Sequence, residues 1–243
     1  MKYTATDLYS LQVEMKEQSL VGDHPVHDKT DFPWISFLEE NCSRISAEFA
    51  SFIGTIPKDA LPNLQDISKE QEFITNDDNW KILPLLFYNE INKMTVSKMP
   101  VTFSVINNIP GITTCFFSLL SPGKHIPLHK GPYAGVLRCH LAIKVPKDSQ
   151  NCWISVDGIK LNWKEGEAII FDDTYDHEVY NKTKEARVVL FIDFLRPLPP
   201  DISAINKDVM EEIQNSEFVK QPSSKYEQWE NKHLSAIDNY PNV

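Results

Sequence analysis

The feature that most constrains the fold is a change in sequence period near residue 112. From there to about residue 194, apolar side chains recur at every second position in several short runs that turn residues separate. Such alternation places successive side chains on opposite faces of a strand. Several short strands at this spacing are typical of a jelly-roll or cupin-like barrel. The sequence therefore predicts a mainly β fold with flanking helices around a double-stranded β-helix core.

Two of these runs carry arginine among apolar residues. In one run Arg138 and His140 share a face, and in the last run Arg187 and Asp193 share a face. A buried guanidinium without a partner is costly, so each arginine needs an anion nearby. That anion is either a carboxylate of the chain, such as Asp193 or Glu167, or the carboxylate of a bound ligand. The spacing alone leaves both interpretations open.

The length and the distribution of apolar residues predict one domain over residues 1–243. Within it, residues 1–110 form a helical and extended region that packs on the core. Residues 111–198 form the β-helix core, and residues 199–243 form a helical C-terminal tail.

The N-terminal region reads as four parts. Residues 1–30 are polar and mixed, and we expect them to pack poorly. Apolar residues at three- and four-residue steps predict a helix over 34–53. An apolar run predicts extended structure over 80–88, and a short helix is expected over 99–109.

Composition and charge argue against several classes of function. The formal net charge of −10 disfavours nucleic acid as a partner. No apolar run approaches the roughly 20 residues of a transmembrane helix, and the first residues lack the apolar core of a signal peptide. The four cysteines lack metal-site spacing and are typical of reduced, buried thiols. A cytoplasmic location is the expectation.

His129 and His177 are candidate metal ligands. Each lies next to a turn at a predicted strand end, where the mouth of a barrel would bring them together. Non-haem iron oxygenases hold Fe(II) with two histidines and one carboxylate. The usual place of that carboxylate, two residues after the first histidine, is Gly131 here, and the neighbouring acids are Asp173 and Asp176. Spacing alone therefore supplies two of three ligands and leaves a structural role for each histidine open.

The stretch 117–198 resembles the aspartyl/asparaginyl β-hydroxylase family of Fe(II)- and 2-oxoglutarate-dependent dioxygenases. It is similar in particular to the bacterial branch, which also contains lipid A 2-hydroxylase-like proteins. The motifs that carry the resemblance are SPGKHIPLH at 121–129, LRCHL at 137–141, WKEGE at 163–167, FDDTYDHE at 171–178 and RVVLFID at 187–193.

The resemblance implies roles for individual residues. His129 and His177 would be the iron ligands and, with Arg138, the catalytic residues. Four residues would bind the 2-oxoglutarate co-substrate: Ser118, Arg138, His140 and Arg187. Arg187 would pair with its distal carboxylate, and Ser118 would add a hydrogen bond at the same end. Asp173 is expected to turn away from the metal into backbone hydrogen bonds, and Asp176 to point off the metal.

The resemblance also implies an enzyme that uses Fe(II), 2-oxoglutarate and O₂ to hydroxylate an unactivated C–H bond. The expected substrate is an aspartyl/asparaginyl-type or other amino-acid-containing molecule. Gly131 fits members that act on aspartyl residues with two histidines and a water, whereas Val136 stands where those enzymes carry an additional arginine. Two alternatives are a fatty-acyl or lipid A-like substrate and a cupin-like binding module without turnover. The substrate is therefore a small molecule, a peptide or a lipid.

Overall fold

The computed structural model describes residues 4–57, 60–68 and 72–235. The α-helices in these residues are α1 (Ala5–Glu17), α2 (Trp34–Glu40), α3 (Cys42–Ile53), α4 (Leu64–Ile67), α5 (Lys93–Lys98), α6 (Pro100–Ile106), α7 (Pro200–Gln214) and α8 (Glu217–His233). The β-strands are β1 (Val26–His27), β2 (Trp80–Phe87), β3 (Glu90–Ile91), β4 (Ile112–Leu120), β5 (His125–His129), β6 (Val136–Lys144), β7 (Cys152–Val156), β8 (Ile159–Asn162), β9 (Ala168–Phe171), β10 (His177–Asn181) and β11 (Arg187–Leu195).

The strands form two antiparallel sheets that face each other. The larger sheet has seven strands in the order β1-β9-β6-β11-β4-β2-β3, and the smaller has four in the order β5-β10-β7-β8. A cluster of buried apolar and aromatic residues from both sheets fills the space between them. The fold is thus mainly β with flanking helices, a jelly-roll-type double-stranded β-helix, as the alternation predicted.

The apolar face of β6 is covered by helices. Leu137, Cys139 and Leu141 lie in one buried cluster with residues of α2 and α3. The opposite face of β6, which carries Arg138 and His140, is therefore directed between the two sheets. Both faces of this strand are buried, so the alternation separates a helix-facing side from an interior polar side.

Residues 4–30 are better packed than the sequence indicated, and residues 1–3 lie outside the described residues. Helix α1 begins with a capping box in which the side chains of Thr4 and Asp7 each bond the other's backbone N–H. Leu11 and Met15 are buried in a cluster with residues of α7. The expectation of a poorly packed N-terminal segment was wrong, because two apolar residues four apart suffice to seat a helix whose other faces are polar.

The helix expected over 34–53 is two helices, α2 and α3, that meet at Asn41. The Asn41 amide donates to the Phe37 carbonyl, and its side-chain oxygen accepts from Arg44. Asparagine competes in this way with backbone bonding, and the continuous apolar period conceals the break.

Several strands lie outside those that the alternation identified. Strands β5 and β10, which end and begin at the two candidate histidines, are short, and β5 contains Pro127. Proline is tolerated there because β5 is an edge strand. Strands β1, β2 and β3 come from residues 1–110 and pair within the larger sheet. The division at residues 111 and 198 stays a prediction.

The four cysteines, Cys42, Cys115, Cys139 and Cys152, are buried and unpaired, as expected. In the part of the chain that the structure describes, we find no helix of the length and apolarity that a membrane crossing requires.

Candidate active site

The pairing of β5 with β10 brings the two candidate metal ligands together. His129 and His177 are direct partners in the register of these strands, and their ring centroids lie 4.1 Å apart. His177 is almost fully buried, whereas His129 is half-buried. The pair therefore lies at the junction of the barrel interior with its mouth.

Both rings bond a backbone carbonyl through the same nitrogen, Nδ1. His129 Nδ1 lies 2.8 Å from the Pro127 carbonyl oxygen, and His177 Nδ1 lies 3.0 Å from that of Tyr175. A carbonyl can only accept, so each Nδ1 carries the proton and each Nε2 keeps its lone pair. A hydrogen bond from the ring nitrogen that does not bind the metal is what orients metal-binding histidines.

Burial keeps both imidazoles neutral. It lowers the pKa of His129, and together with the neighbouring His129 it lowers the pKa of His177 to about 3. Neutral imidazole is the form that binds a metal. Within residues 4–57, 60–68 and 72–235, no cluster of three or more His, Cys, Asp or Glu side chains is arranged around a metal position.

Arg187 is a buried cation without an anionic partner among the described residues. Its side chain is 1% exposed, and neither Nε nor Nη1 has a hydrogen bond. Its guanidinium lies 4.7 Å from the centre of the Trp163 ring. Burial lowers its pKa to about 10, which still leaves it charged at neutral pH. Such a group is stable when an anion binds to it.

His140 and Trp163 add further unsatisfied donors between Arg187 and the histidine pair. Neither ring nitrogen of His140 nor Nε1 of Trp163 has a hydrogen bond to the described residues. The His140 ring is 6.1 Å from Trp163 and 5.1 Å from Phe171, which in turn is 5.9 Å from His177. A continuous interior row therefore connects the arginine to the candidate metal ligands.

Ser118 faces the same interior. It pairs with Val189, the residue two positions from Arg187 on the same face of β11. Its hydroxyl oxygen accepts a 3.0 Å hydrogen bond from Trp80 Nε1, which leaves its proton available to donate. The position suits the additional hydrogen bond that the resemblance implied.

Arg138 differs from Arg187 because the chain supplies its anions. Its Nε and Nη2 donate to the two Asp193 oxygens at 2.8 and 3.1 Å, and Nη2 lies 2.8 Å from Asp173. Burial by itself would lower the pKa of Arg138, but Asp173 and Asp193 raise it. The structural ion pair with Asp193 was one of the two interpretations left open, and the catalytic and co-substrate roles of Arg138 stay predictions.

The Asp173 side chain was expected to form backbone hydrogen bonds, and this expectation was wrong. Its carboxylate pairs with Arg138, whereas the neighbouring Asp172 accepts the turn hydrogen bonds, from Thr174 N at 2.9 Å and Oγ1 at 2.6 Å. A Cβ atom at Gly131 would overlap the Asp173 carboxylate. Gly131 is therefore required by a close approach that no sequence spacing reveals.

Asp176 lies away from the site. Its carboxylate is half-exposed and 3.5 Å from Lys130 Nζ. His125, also on β5, stacks on Tyr180 and lies 2.9 Å from Glu178 at the outer surface.

One wall of the site was not predicted from the sequence. A cavity beside His129 and Arg138 is lined in part by Trp80 and Tyr88 from the N-terminal half and by Phe218 from α8. The apolar run at 80–88 signalled a strand but gave no indication that its end reaches the site.

The family of this chain follows from comparison of its sequence with known proteins. The family model described as Aspartyl/Asparaginyl beta-hydroxylase matches residues 39–197. A Rhizobium tropici protein named ornithine lipid ester-linked acyl 2-hydroxylase is 37% identical over 222 residues, which cover 91% of this chain and 78% of that protein. Human aspartyl/asparaginyl beta-hydroxylase is 29% identical over 133 residues, which cover 53% of this chain and 17% of that protein. Among solved structures, a Schizosaccharomyces pombe cupin domain aligns with a TM-score of 0.35 and 11% identity over 54% of this chain and 70% of that one.

The class is therefore that of hydroxylases, which are oxidoreductases. Because the family model covers well over half of its residues, the chain belongs to the aspartyl/asparaginyl β-hydroxylase family. The chain spans only 17% of the length of the human relative.

Proposed function

We propose that this chain is an Fe(II)- and 2-oxoglutarate-dependent dioxygenase that hydroxylates an unactivated C–H bond. One observation carries the proposal: Arg187, a buried guanidinium with no anionic partner among the described residues, shares a barrel interior with two neutral histidines that donate through Nδ1 to backbone carbonyls. A dicarboxylate that also binds a metal satisfies both groups at once.

The residues present fit that cofactor set. His129 and His177 would hold Fe(II) through Nε2, and Arg187 with Ser118 would bind the distal carboxylate of 2-oxoglutarate. The bound iron, with 2-oxoglutarate, would supply the activation of O₂ that no protein side chain can supply. The chain's own part is to fix the co-substrate, to keep the histidines neutral and to exclude water from the interior. His140, buried and without a hydrogen bond, would line the co-substrate between these ends.

The substrate that we propose is an amino-acid-containing molecule that bears an acyl chain. The relative of 37% identity is named for an ornithine lipid and its ester-linked acyl group. Such a molecule contains an amino acid, as the main expectation requires, and an acyl chain, as the fatty-acyl alternative requires. A largely apolar cavity next to His129 supports the acyl part. Family membership favours an enzyme over a binding module without turnover. We further propose a single domain and a cytoplasmic location, which the four unpaired thiols support.

The test combines turnover with binding. Purified protein is supplied with Fe(II), ascorbate and 2-oxoglutarate, and succinate is measured with and without an acylated ornithine lipid, whose product is sought as a gain of one oxygen atom by mass spectrometry. In parallel, stabilisation by Mn(II) plus 2-oxoglutarate is measured by thermal unfolding. We expect His129→Ala and His177→Ala to lose metal binding and succinate formation, while His125→Ala, changed on the same strand as His129, keeps both. Metal binding that survives in either histidine variant would contradict the assignment.

A further inference from the structure

The cavity beside the histidine pair has a polar mouth and an apolar interior. It measures about 100 Å³, and His129 and Arg138 lie in its wall. A second cavity of about 20 Å³ adjoins it, and the two share Leu64, Ser68, Phe87 and Phe116 in their walls. Together they form one path, and His129 is the candidate iron ligand that lines its near end.

The far end of this path is almost entirely hydrocarbon. Its wall includes Ile67, Ile82 and Pro84, closed from above by Pro222 and Tyr226 of α8. Apolar cavities of this kind stay dry and accept apolar ligands. Asn92 and Ser223 also contribute to the wall, but the surface exposed to the cavity is nearly all apolar, so the interior suits an aliphatic chain.

Tyr88 stands at the mouth in an unusual backbone conformation. Tyr88 and Asn89 form the turn between β2 and β3 with φ values of 46° and 67°, a pair of positive angles that glycine or asparagine usually supplies. The Tyr88 ring contacts Phe218 of α8 with centroids 5.5 Å apart and lines the cavity together with His129. Strain of this kind in a bulky residue at a ligand cavity points to a function of the side chain.

The Tyr88 hydroxyl is a donor without an assigned acceptor. No hydrogen bond joins it to the residues that the structure describes, although its backbone N–H bonds Thr114 Oγ1 at 3.3 Å. Burial and the nearby Asp193 raise its pKa, so the phenol keeps its proton at any physiological pH. Asp193 accepts one hydrogen bond from Arg138 at each carboxylate oxygen, and among the described residues none joins it to the Tyr88 hydroxyl.

We propose that Tyr88 is a specificity-determining residue whose hydroxyl donates a hydrogen bond to the carbonyl of an acyl substrate, while the aliphatic chain enters the cavity behind it. The inference rests on the proposed function, because a carbonyl held at the mouth places the neighbouring carbon in the cavity that His129 lines. It assigns recognition of the acyl group to residues 64–68, 74–88 and α8, outside the motifs that would bind metal and co-substrate.

Binding is tested without iron or 2-oxoglutarate, so that failure of the catalytic proposal does not affect the result. The probe is methyl 11-bromoundecanoate, which carries an ester carbonyl and a chain whose bromine quenches tryptophan fluorescence. Trp80 lines the cavity. We expect saturable quenching in the native protein that Trp80→Phe largely removes. Absence of quenching, or quenching that persists in Trp80→Phe, would overturn the assignment of the cavity.

The role of the hydroxyl is tested by Tyr88→Phe, which keeps the ring. Loss of one neutral hydrogen bond predicts an approximately two- to tenfold weaker probe affinity. Tyr9→Phe makes the same chemical change on an exposed side chain and is expected to leave affinity unchanged. With an acyl substrate, Tyr88→Phe should also lower the yield of hydroxylated product per succinate formed, which a merely structural role would not change. Equal affinity and equal yield in Tyr88→Phe and the native protein would overturn the proposal.

The depth of the cavity is tested by Leu64→Trp, which fills the space that the two cavities share. We expect this variant to bind methyl esters of four- or six-carbon acids but to lose the undecanoate probe. Far-ultraviolet circular dichroism and thermal unfolding establish that it is folded. If Leu64→Trp is unfolded, Leu64→Phe is measured in the same way. A folded filled variant that binds long and short esters as the native protein does would show that the chain does not enter here.

Discussion

At the scale of single residues, two arginines on neighbouring strands have opposite environments. Arg138 is neutralised by Asp173 and Asp193, so it is satisfied before any ligand binds. Arg187 lies against the Trp163 ring, and no carboxylate of the described residues pairs with it. A buried charge that the chain does not compensate is a binding site for the opposite charge. The structure therefore distinguishes Arg138 from Arg187, whose sequence contexts are alike.

Arg187→Lys tests the role of the guanidinium. A lysine keeps the charge but cannot form the two parallel hydrogen bonds of a guanidinium with a carboxylate. Loss of one charge-assisted bond, about 1.5–3 kcal/mol, predicts an approximately ten- to hundredfold rise in the KM and Kd for 2-oxoglutarate. Steady-state kinetics and thermal shifts with Mn(II) measure the two constants. Arg44→Lys, on an exposed arginine, is the control, and an unchanged Kd in Arg187→Lys would place the carboxylate elsewhere.

Gly131→Ala tests the close approach of Asp173. A Cβ atom would overlap the carboxylate, so we expect a loss of about 1–3 kcal/mol in the free energy of unfolding. Asp173→Ala alone should also destabilise, because Arg138 loses a partner. The double variant should be less destabilised than the sum of the two single variants, as chemical denaturation would show. Strict additivity would mean that the two positions do not collide.

At the scale of secondary structure elements, the outer helices determine how firmly the barrel is held. Helix α1 is seated by Leu11 and Met15 against α7, although the segment looks polar in sequence. Helices α2 and α3 cover the apolar face of β6 and so direct Arg138 and His140 into the barrel. Helix α8 contributes Phe218 to the mouth of the cavity. Elements outside the recognisable motifs thus shape the site.

Met15→Ala measures the contribution of α1. Met15 is fully buried, and truncation of a buried methionine costs about 2–5 kcal/mol of unfolding free energy. Val13 lies on the same helix but is 41% exposed, so Val13→Ala is expected to cost much less. Equilibrium denaturation of the two variants gives the comparison. Equal, small effects would mean that α1 does not contribute to the stability of the domain.

At the scale of the whole molecule, a buried ion pair joins distant segments. Asp172, between β9 and β10, lies 2.5 Å from Arg196, which follows β11 and also bonds the Ala134 carbonyl. The Asp172 backbone N–H donates to Pro25 near the N-terminus. Both side chains of the pair have no exposed surface. Removal of one partner would leave an uncompensated charge where four parts of the chain meet.

Asp172→Asn and acid titration test this pair. Burial by itself disfavours the Asp172 carboxylate, but Arg196 and the bonds from Thr174 together lower its pKa below the ordinary 3.8. A group whose pKa falls on folding stabilises the protein above its unfolded pKa, and that stabilisation is lost as the pH falls through the lower folded pKa. We therefore expect a loss of stability that sets in near pH 4 and continues below it.

The same pair predicts the behaviour of the variant. At neutral pH, Asp172→Asn should lower the free energy of unfolding by about 3–5 kcal/mol, because Arg196 stays buried and charged. Its stability should depend less on pH below 4 than that of the native protein. Asp31→Asn, on an exposed carboxylate, is the control. A variant with the same acid dependence as the native protein would assign that dependence to other carboxylates.

The sequence by itself determined the barrel, its family and the row of polar residues along its interior strands. Strand alternation is a local property, since each side chain's face follows from its position along the strand, and it placed Arg138 with His140, and Arg187 with Asp193, on shared faces. The histidine pair also followed, because strands that end at turns meet at the mouth of a barrel.

Only the tertiary structure decided which charge finds which partner. Asp173 reaches Arg138 across the space that a side chain at position 131 would fill, whereas Arg187 meets no carboxylate in the part of the chain that the structure describes. Tyr88 and Phe218 come to the mouth from elements far away in the chain. Such contacts depend on the packing of distant segments and leave no period or spacing in the sequence, because the energy of a buried charge is set by what surrounds it in space.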